Sequence, residues 1–315
     1  MESQKPKIAL YKKRSFGDKL NASFDFIKEN WKIILKFTTY LLLPLSLIQA
    51  LSLNGLMGGA FSLMQQAEGG NATVPAIGIA FFINYGVYIL LTMIGTMLLS
   101  SLLYGLIHTY NEREERLQGV TLGMLKPLLF RNLKKMLIIF LMGFALGILI
   151  VLVLVILIML TPFTLIFTIP AAIAVMLPFA LWTPIYLLEE ITVIGALKKA
   201  FRLGFATWGG IFLMALVMGL VANILQGVTM MPWYIATLVK YFFAMSDAGS
   251  GATVSVGYSF FLYILGIIQT FGVYLAMIFS VVGLVYQYGH ASEVVDSVTV
   301  EDDIDKFNEL YEFLK

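Results

Sequence analysis

Two histidines and one glutamate are the residues best placed to do chemistry in this sequence. They close three matching motifs, Tyr104-x-x-x-His108, Tyr186-x-x-x-Glu190 and Tyr286-x-x-x-His290. A four-residue step is about one helical turn, so each motif puts a tyrosine and a titratable group on one helix face. His108 and His290 are the only histidines in the chain. Brought together, two imidazoles and a carboxylate would suit a divalent metal with open positions, or would pass a proton. The plainer reading, and the preferred one, is that all three are polar helix ends reaching the lipid headgroups. Nothing else reactive stands out. Cysteine is absent, which excludes disulfides and thiolate chemistry. No phosphate loop, HExxH, nucleophile elbow or ATP-binding pattern is present, so neither a cofactor nor a catalytic residue is expected.

The elements that would position these groups are membrane helices. Of the 315 residues, 59% are hydrophobic and 13% charged, where a soluble domain has about half and about a quarter. The run Met136–Leu160 holds no charge and exceeds the roughly 20 residues needed to cross a bilayer as a helix. Apolar and polar residues do not alternate, which excludes a transmembrane barrel. Hydropathy gives six spans, near Ile33–Leu53, Ile77–Ile107, Met136–Leu160, Leu165–Leu188, Ile211–Val228 and Ser259–Gln287.

Charge then sets direction. Nine Lys or Arg residues, from Lys5 to Lys36, stand before and into the first span; His108–Lys135 carries six and Glu189–Trp208 three. The intervening loops 54–76 and 161–164 carry none, and 229–258 has only Lys240. The positive-inside rule therefore predicts cytoplasmic termini. A polar, basic start with no small-residue cleavage site predicts that the first span stays as an anchor. The basic residues follow the membrane boundary and form no separate basic domain, so nucleic acid is not an expected partner.

A repeat organises the spans. Leu20, Phe24, Trp31 and Ile34 recur, at identical spacing, as Leu197, Phe201, Trp208 and Ile211. Each copy is an amphipathic, basic segment leading into a span, and Leu122–Leu133 is a weaker third copy. The expected fold is an all-α integral membrane protein of six helices in three hairpins, each preceded by a cytoplasmic amphipathic helix. Residues 1–292 would form the membrane domain, with hairpin units at about 16–110, 119–190 and 194–290. Phe24, Trp31, Phe201, Trp208 and Trp233 are the expected interfacial anchors. Trp233 belongs to Pro232–Met245, which reads as a short outer-leaflet helix.

Pro162, Pro170, Pro178 and Pro184 crowd the fourth span and predict a kink or hinge there. Gly143-x-x-x-Gly147 has the spacing for close helix approach, within the chain or between copies. The sequon Asn71-Ala-Thr73 reads as accidental. Residues 293–315 form an acidic tail in which Thr299-x-x-Asp302 opens an amphipathic helix suited to docking on protein, either the basic Lys12-Lys13-Arg14 arm or a separate partner.

The stretch Pro184-Ile-Tyr-Leu-Leu-Glu189-Glu190, then Gly195-Ala-Leu-Lys-Lys-Ala-Phe201-Arg202 and Trp208, resembles two bacterial groups. These are the membrane domain of glycerophosphodiester phosphodiesterases and the YciC-like inner-membrane family. Ala200 stands where those families often have serine. The resemblance implies a six-span inner-membrane protein without the phosphodiesterase activity, which belongs to a separate soluble domain. The expected function is thus non-enzymatic: binding or organising membrane lipid, or supporting a membrane partner. A permease for an apolar or amphipathic substrate is the alternative, and a membrane metalloenzyme the weaker one.

Overall fold

The computed structural model describes residues 6–68, 75–246 and 255–300. The Asn71 sequon and the tail beyond Val300 lie outside these residues. All regular structure among the described residues is helical: α1 Phe16–Glu68, α2 Pro75–Glu112, α3 Leu122–Leu160, α4 Leu165–Ala180, α5 Trp182–Leu188, α6 Val193–Ala206, α7 Trp208–Ser246 and α8 Val256–Val295. A 3-10 turn at Pro162–Thr164 joins α3 to α4. Among the described residues six stretches are long and apolar enough to cross a membrane: α1, α2, α3, α4 with α5, α7 and α8.

The amphipathic segments differ from expectation. Residues 16–31 are the first turns of α1 and 122–133 those of α3, each continuous with its span. Lys32 and Ile33 follow Trp31 without a helix breaker, so the helix has no reason to stop. Only the third copy is a separate helix, α6. The Thr192 hydroxyl caps its start by accepting from Gly195 N–H at 3.1 Å. Thr207 leaves helical geometry at φ −122°, ψ 25° and ends it, just before the Gly209–Gly210 pair.

Nor is Pro232–Met245 a separate helix. α7 runs straight through Pro232 to Ser246. A proline removes one helical hydrogen bond, and here the next residue is held from outside: Trp233 is 4% exposed, and its indole N–H donates to Asn54 Oδ1 at 2.9 Å. Trp233 is a buried residue, not an interfacial anchor.

The chain forms two compact units. One comprises residues 1–33, 101–219 and 279–315. Its core gathers Leu181, Trp182, Ile185, Leu203, Ile211 and Tyr288 around the small face of α6, Ala196 and Ala200. Ala200 is fully buried, so its position tolerates little bulk. At Gly204 a Cβ would fall 2.6 Å from Pro178 Cα, so α6 lies almost backbone to backbone on α4. The same unit contains the whole of α3, whose most apolar 18-residue window has no buried residue.

The other unit, residues 34–100 and 220–278, is built from segments of α1, α2, α7 and α8. It is joined by neutral polar contacts at hydrophobic-span level. Gln49 donates to Thr92 Oγ1 at 2.7 Å and accepts from the Tyr274 hydroxyl at 2.9 Å. Thr270 donates to the Ser46 carbonyl at 3.3 Å. Such bonds act as glue where acyl chains offer no alternative partner. Gly95 makes room for Tyr274: a Cβ there would sit 2.1 Å from the hydroxyl oxygen.

Candidate functional site

His108, Glu190 and His290 each have a different partner. His108 Nδ1 lies 3.1 Å from Glu112 Oε2, one turn along α2. Glu190 Oε1 receives Arg131 Nη1 at 2.9 Å, with Lys135 Nζ at 3.8 Å. His290 Nδ1 accepts the Arg14 backbone N–H at 3.0 Å, which requires that nitrogen to be unprotonated. Among the described residues no three His, Asp or Glu side chains are placed to hold a metal. The motif tyrosines Tyr104, Tyr186 and Tyr286 are buried, the last two beneath the cationic groups of Lys135 and Arg14 at 5.2 and 5.6 Å from the ring centres.

What the sequence did not reveal is the segment that brings Arg14 there. Residues 6–14 are not helical and lie along the ends of α2 and α8. Ile8 N–H donates to the Tyr110 hydroxyl at 3.3 Å, and the Tyr11 and Tyr288 hydroxyls are 3.1 Å apart. Leu10 is buried, and its carbonyl oxygen would be 2.3 Å from a Cβ at Gly289, so only glycine admits the strap at that point. The guanidinium of Arg14 folds back onto the carbonyls of Ala9 and Leu10. Burial lowers its pKa, an effect opposed by Tyr286 and Asp18.

Beside the strap lies a charged knot. Tyr288 donates to Glu189 Oε1 at 2.6 Å; Lys199 bridges Glu189 at 2.9 Å and Asp296 at 3.1 Å; Arg202 reaches Asp296 at 2.6 Å. The knot ties the end of α5, the exposed face of α6 and the end of α8. Burial pulls the Lys199 pKa down, but Glu189 and Asp296 together outweigh it and hold the group above its ordinary value. Lys19, 3% exposed, donates to Gln287 Oε1 at 2.7 Å.

The proline-rich span breaks where Pro178 and Pro184 bracket it. α4 ends at Ala180 and α5 begins at Trp182. Pro178 has no N–H for the carbonyl four residues earlier, that of Ala174. The Trp208 indole N–H supplies the missing donor at 2.9 Å. Trp182 likewise donates to the Val193 carbonyl at 2.9 Å. Phe201 stacks edge-on against Phe179, ring centres 5.2 Å apart. Of the expected anchors, Phe24 and Trp31 are exposed, at 37% and 52%, while Phe201 and Trp208 are half-buried against α4. Gly143 faces Trp182, and Gly147 faces open space.

A cleft of about 840 Å³ is walled by Pro6 and Ile8 of the strap, the Asp25–Ile33 turns of α1, and Arg116–Gln118 between α2 and α3. Glu29 accepts from Arg116 at 2.7 Å inside it. Arg116 has φ 58°, a left-handed conformation that turns the chain back toward α1. No sequence signal pointed to this cleft, because its walls lie about 100 residues apart along the chain. Its lining sets acidic and basic groups side by side, with Asp25 and Glu29 beside Lys28, Lys32 and Arg116. No family model, curated protein or solved structure matches the chain.

Proposed function

We propose that this is a non-enzymatic, multi-pass protein of the bacterial inner membrane, with both termini in the cytoplasm, that binds or organises lipid or supports a membrane partner. The observation that carries the reading is the apolar surface of α3 and α4. Met159, Phe163, Phe167 and Met176 are 74–82% exposed, and the core of α3 buries nothing. So continuous an apolar surface is stable only against acyl chains or another apolar protein. The three-hairpin repeat and the resemblance around Pro184–Trp208 belong to this reading, as does the acidic tail as the docking element for a cytoplasmic or membrane protein.

The test is to extract the protein with a lipid-preserving polymer and identify retained lipid by mass spectrometry. Retention of lipid through detergent exchange supports the reading. A protein that emerges free of lipid contradicts it.

The break at Leu181 favours permease activity as a second reading, because a span in two pieces can bend without breaking further hydrogen bonds. Uptake of an amphipathic dye into proteoliposomes, abolished by locking α4 to α6 with a cysteine pair, would favour it over the first.

A further inference from the structure

We propose that the cleft between the strap and α1 is a headgroup site for a zwitterionic phosphodiester, a phosphate paired with a primary ammonium. This rests on the lipid-binding reading and names its polar end. Asp25, Lys28 and Lys32 follow one another at three- and four-residue steps, so they share one face of α1 and line one wall of the cleft. Asp25 and Lys28 make no ion pair or hydrogen bond among the described residues, and Lys32 only lies near the Trp31 ring, 5.9 Å from its centre. Glu29, by contrast, is engaged by Arg116 and Tyr110. The site therefore presents two cationic groups and, one turn away, one carboxylate. A phosphodiester fits the lysines, and an ammonium with N–H donors fits Asp25. A purely anionic headgroup would meet the Asp25 charge at close range, and a quaternary ammonium could not donate to it.

The placement favours a lipid source. The lining ends at Ile33, where the apolar run of α1 begins, and Trp31 is exposed beside it. A headgroup in the cleft would thus have its acyl chains level with the first span. The same chemistry is carried by soluble glycerophosphoethanolamine, and the experiment separates the two.

The full-length chain is placed in nanodiscs of equal phosphatidylethanolamine and phosphatidylglycerol, and the lipid retained on release is counted by native mass spectrometry. A parallel calorimetric titration uses free glycerophosphoethanolamine. The wild type is expected to retain phosphatidylethanolamine preferentially. Asp25→Asn should lower that preference about fivefold without loss of phosphatidylglycerol, whereas Lys28→Gln with Lys32→Gln should lower both by about that factor. All three side chains are exposed, and circular dichroism verifies that the variants fold. Saturable calorimetric binding with the same variant dependence supports the site and assigns it a soluble ligand. Equal retention of the two lipids by the wild type, or an Asp25→Asn variant that keeps the preference, overturns the inference while leaving lipid binding intact. Retention of no lipid at all, with no calorimetric signal, overturns both.

Discussion

The indole N–H of Trp208 donates to the carbonyl of Ala174 at 2.9 Å, the same carbonyl that Pro178 leaves without its helical donor. A tryptophan at the first residue of α7 thereby compensates a proline in α4, and the two ends of α6 are fixed to the broken span. Trp31, which holds the matching position in the Leu-Phe-Trp-Ile pattern near the start of α1, has no such task, because α1 is unbroken there.

Replacing these two tryptophans should separate their roles. Trp208→Phe removes the donor and leaves a part-buried carbonyl unsatisfied, at a cost of about 1–3 kcal/mol. Trp31→Phe, at a half-exposed site, should change stability by less than about 0.5 kcal/mol. Denaturant unfolding in a fixed detergent measures both. Equal effects would mean that the Ala174 bond contributes nothing.

Close approach at glycine gives a second contrast. Gly95→Ala places a methyl carbon 2.1 Å from the Tyr274 hydroxyl and must displace it from Gln49. The expected loss is about 1–3 kcal/mol, the usual range for overpacking. Gly147→Ala meets nothing within 4 Å and should be neutral or slightly stabilising. A neutral Gly95→Ala variant would show that Tyr274 is free to move.

The neutral ladder itself should show coupling. A double-mutant cycle between Gln49→Leu and Tyr274→Phe is expected to give about 0.6–1.7 kcal/mol, the scale found for interhelical hydrogen bonds in membranes. A coupling near zero would place the two side chains out of contact.

Lys199 makes stability depend on alkaline pH. Its folded-state pKa is raised, so its contribution is complete below the ordinary value of 10.5 and disappears as pH rises through the higher folded value. Lys199→Met should cost about 1–2 kcal/mol at neutral pH, since Glu189 and Asp296 keep partial access to water. Wild type and variant should then converge above pH 10.5. A gap that stays constant across that range would contradict the assignment.

Six long apolar helices were legible because a run of about 20 apolar residues is what a helix needs to cross a bilayer. A kink or hinge in the fourth span was expected from Pro162, Pro170, Pro178 and Pro184 together, but not its place: Pro170 lies inside α4, and α4 gives way to α5 only at Leu181. The segments before the spans were expected as separate helices, and their continuity with α1 and α3 was not legible: a helical period does not say whether the helix stops, and at α6 that depended on Thr207 and the Gly209–Gly210 pair. The strap escaped notice because an irregular segment has no period, and its contacts, such as Arg14 with His290, join residues 276 apart. Trp233 read as an interfacial residue for a similar reason, since its partner Asn54 is 179 residues away. The spacing keeps Tyr104 with His108 within α2 and Tyr286 with His290 within α8, but Glu190 falls past the end of α5, where Glu189 is already extended; spacing along one helix also says nothing about what faces it, and each titratable group met a partner of its own.

The most direct test of lipid contact is a photo-activatable residue placed at Leu152 and at Phe167, on α3 and α4, in native membranes. Both positions are exposed, at 56% and 77%. Illumination should yield adducts heavier by the mass of a phospholipid at both positions. Adducts to protein at both positions, with none to lipid, would contradict the account.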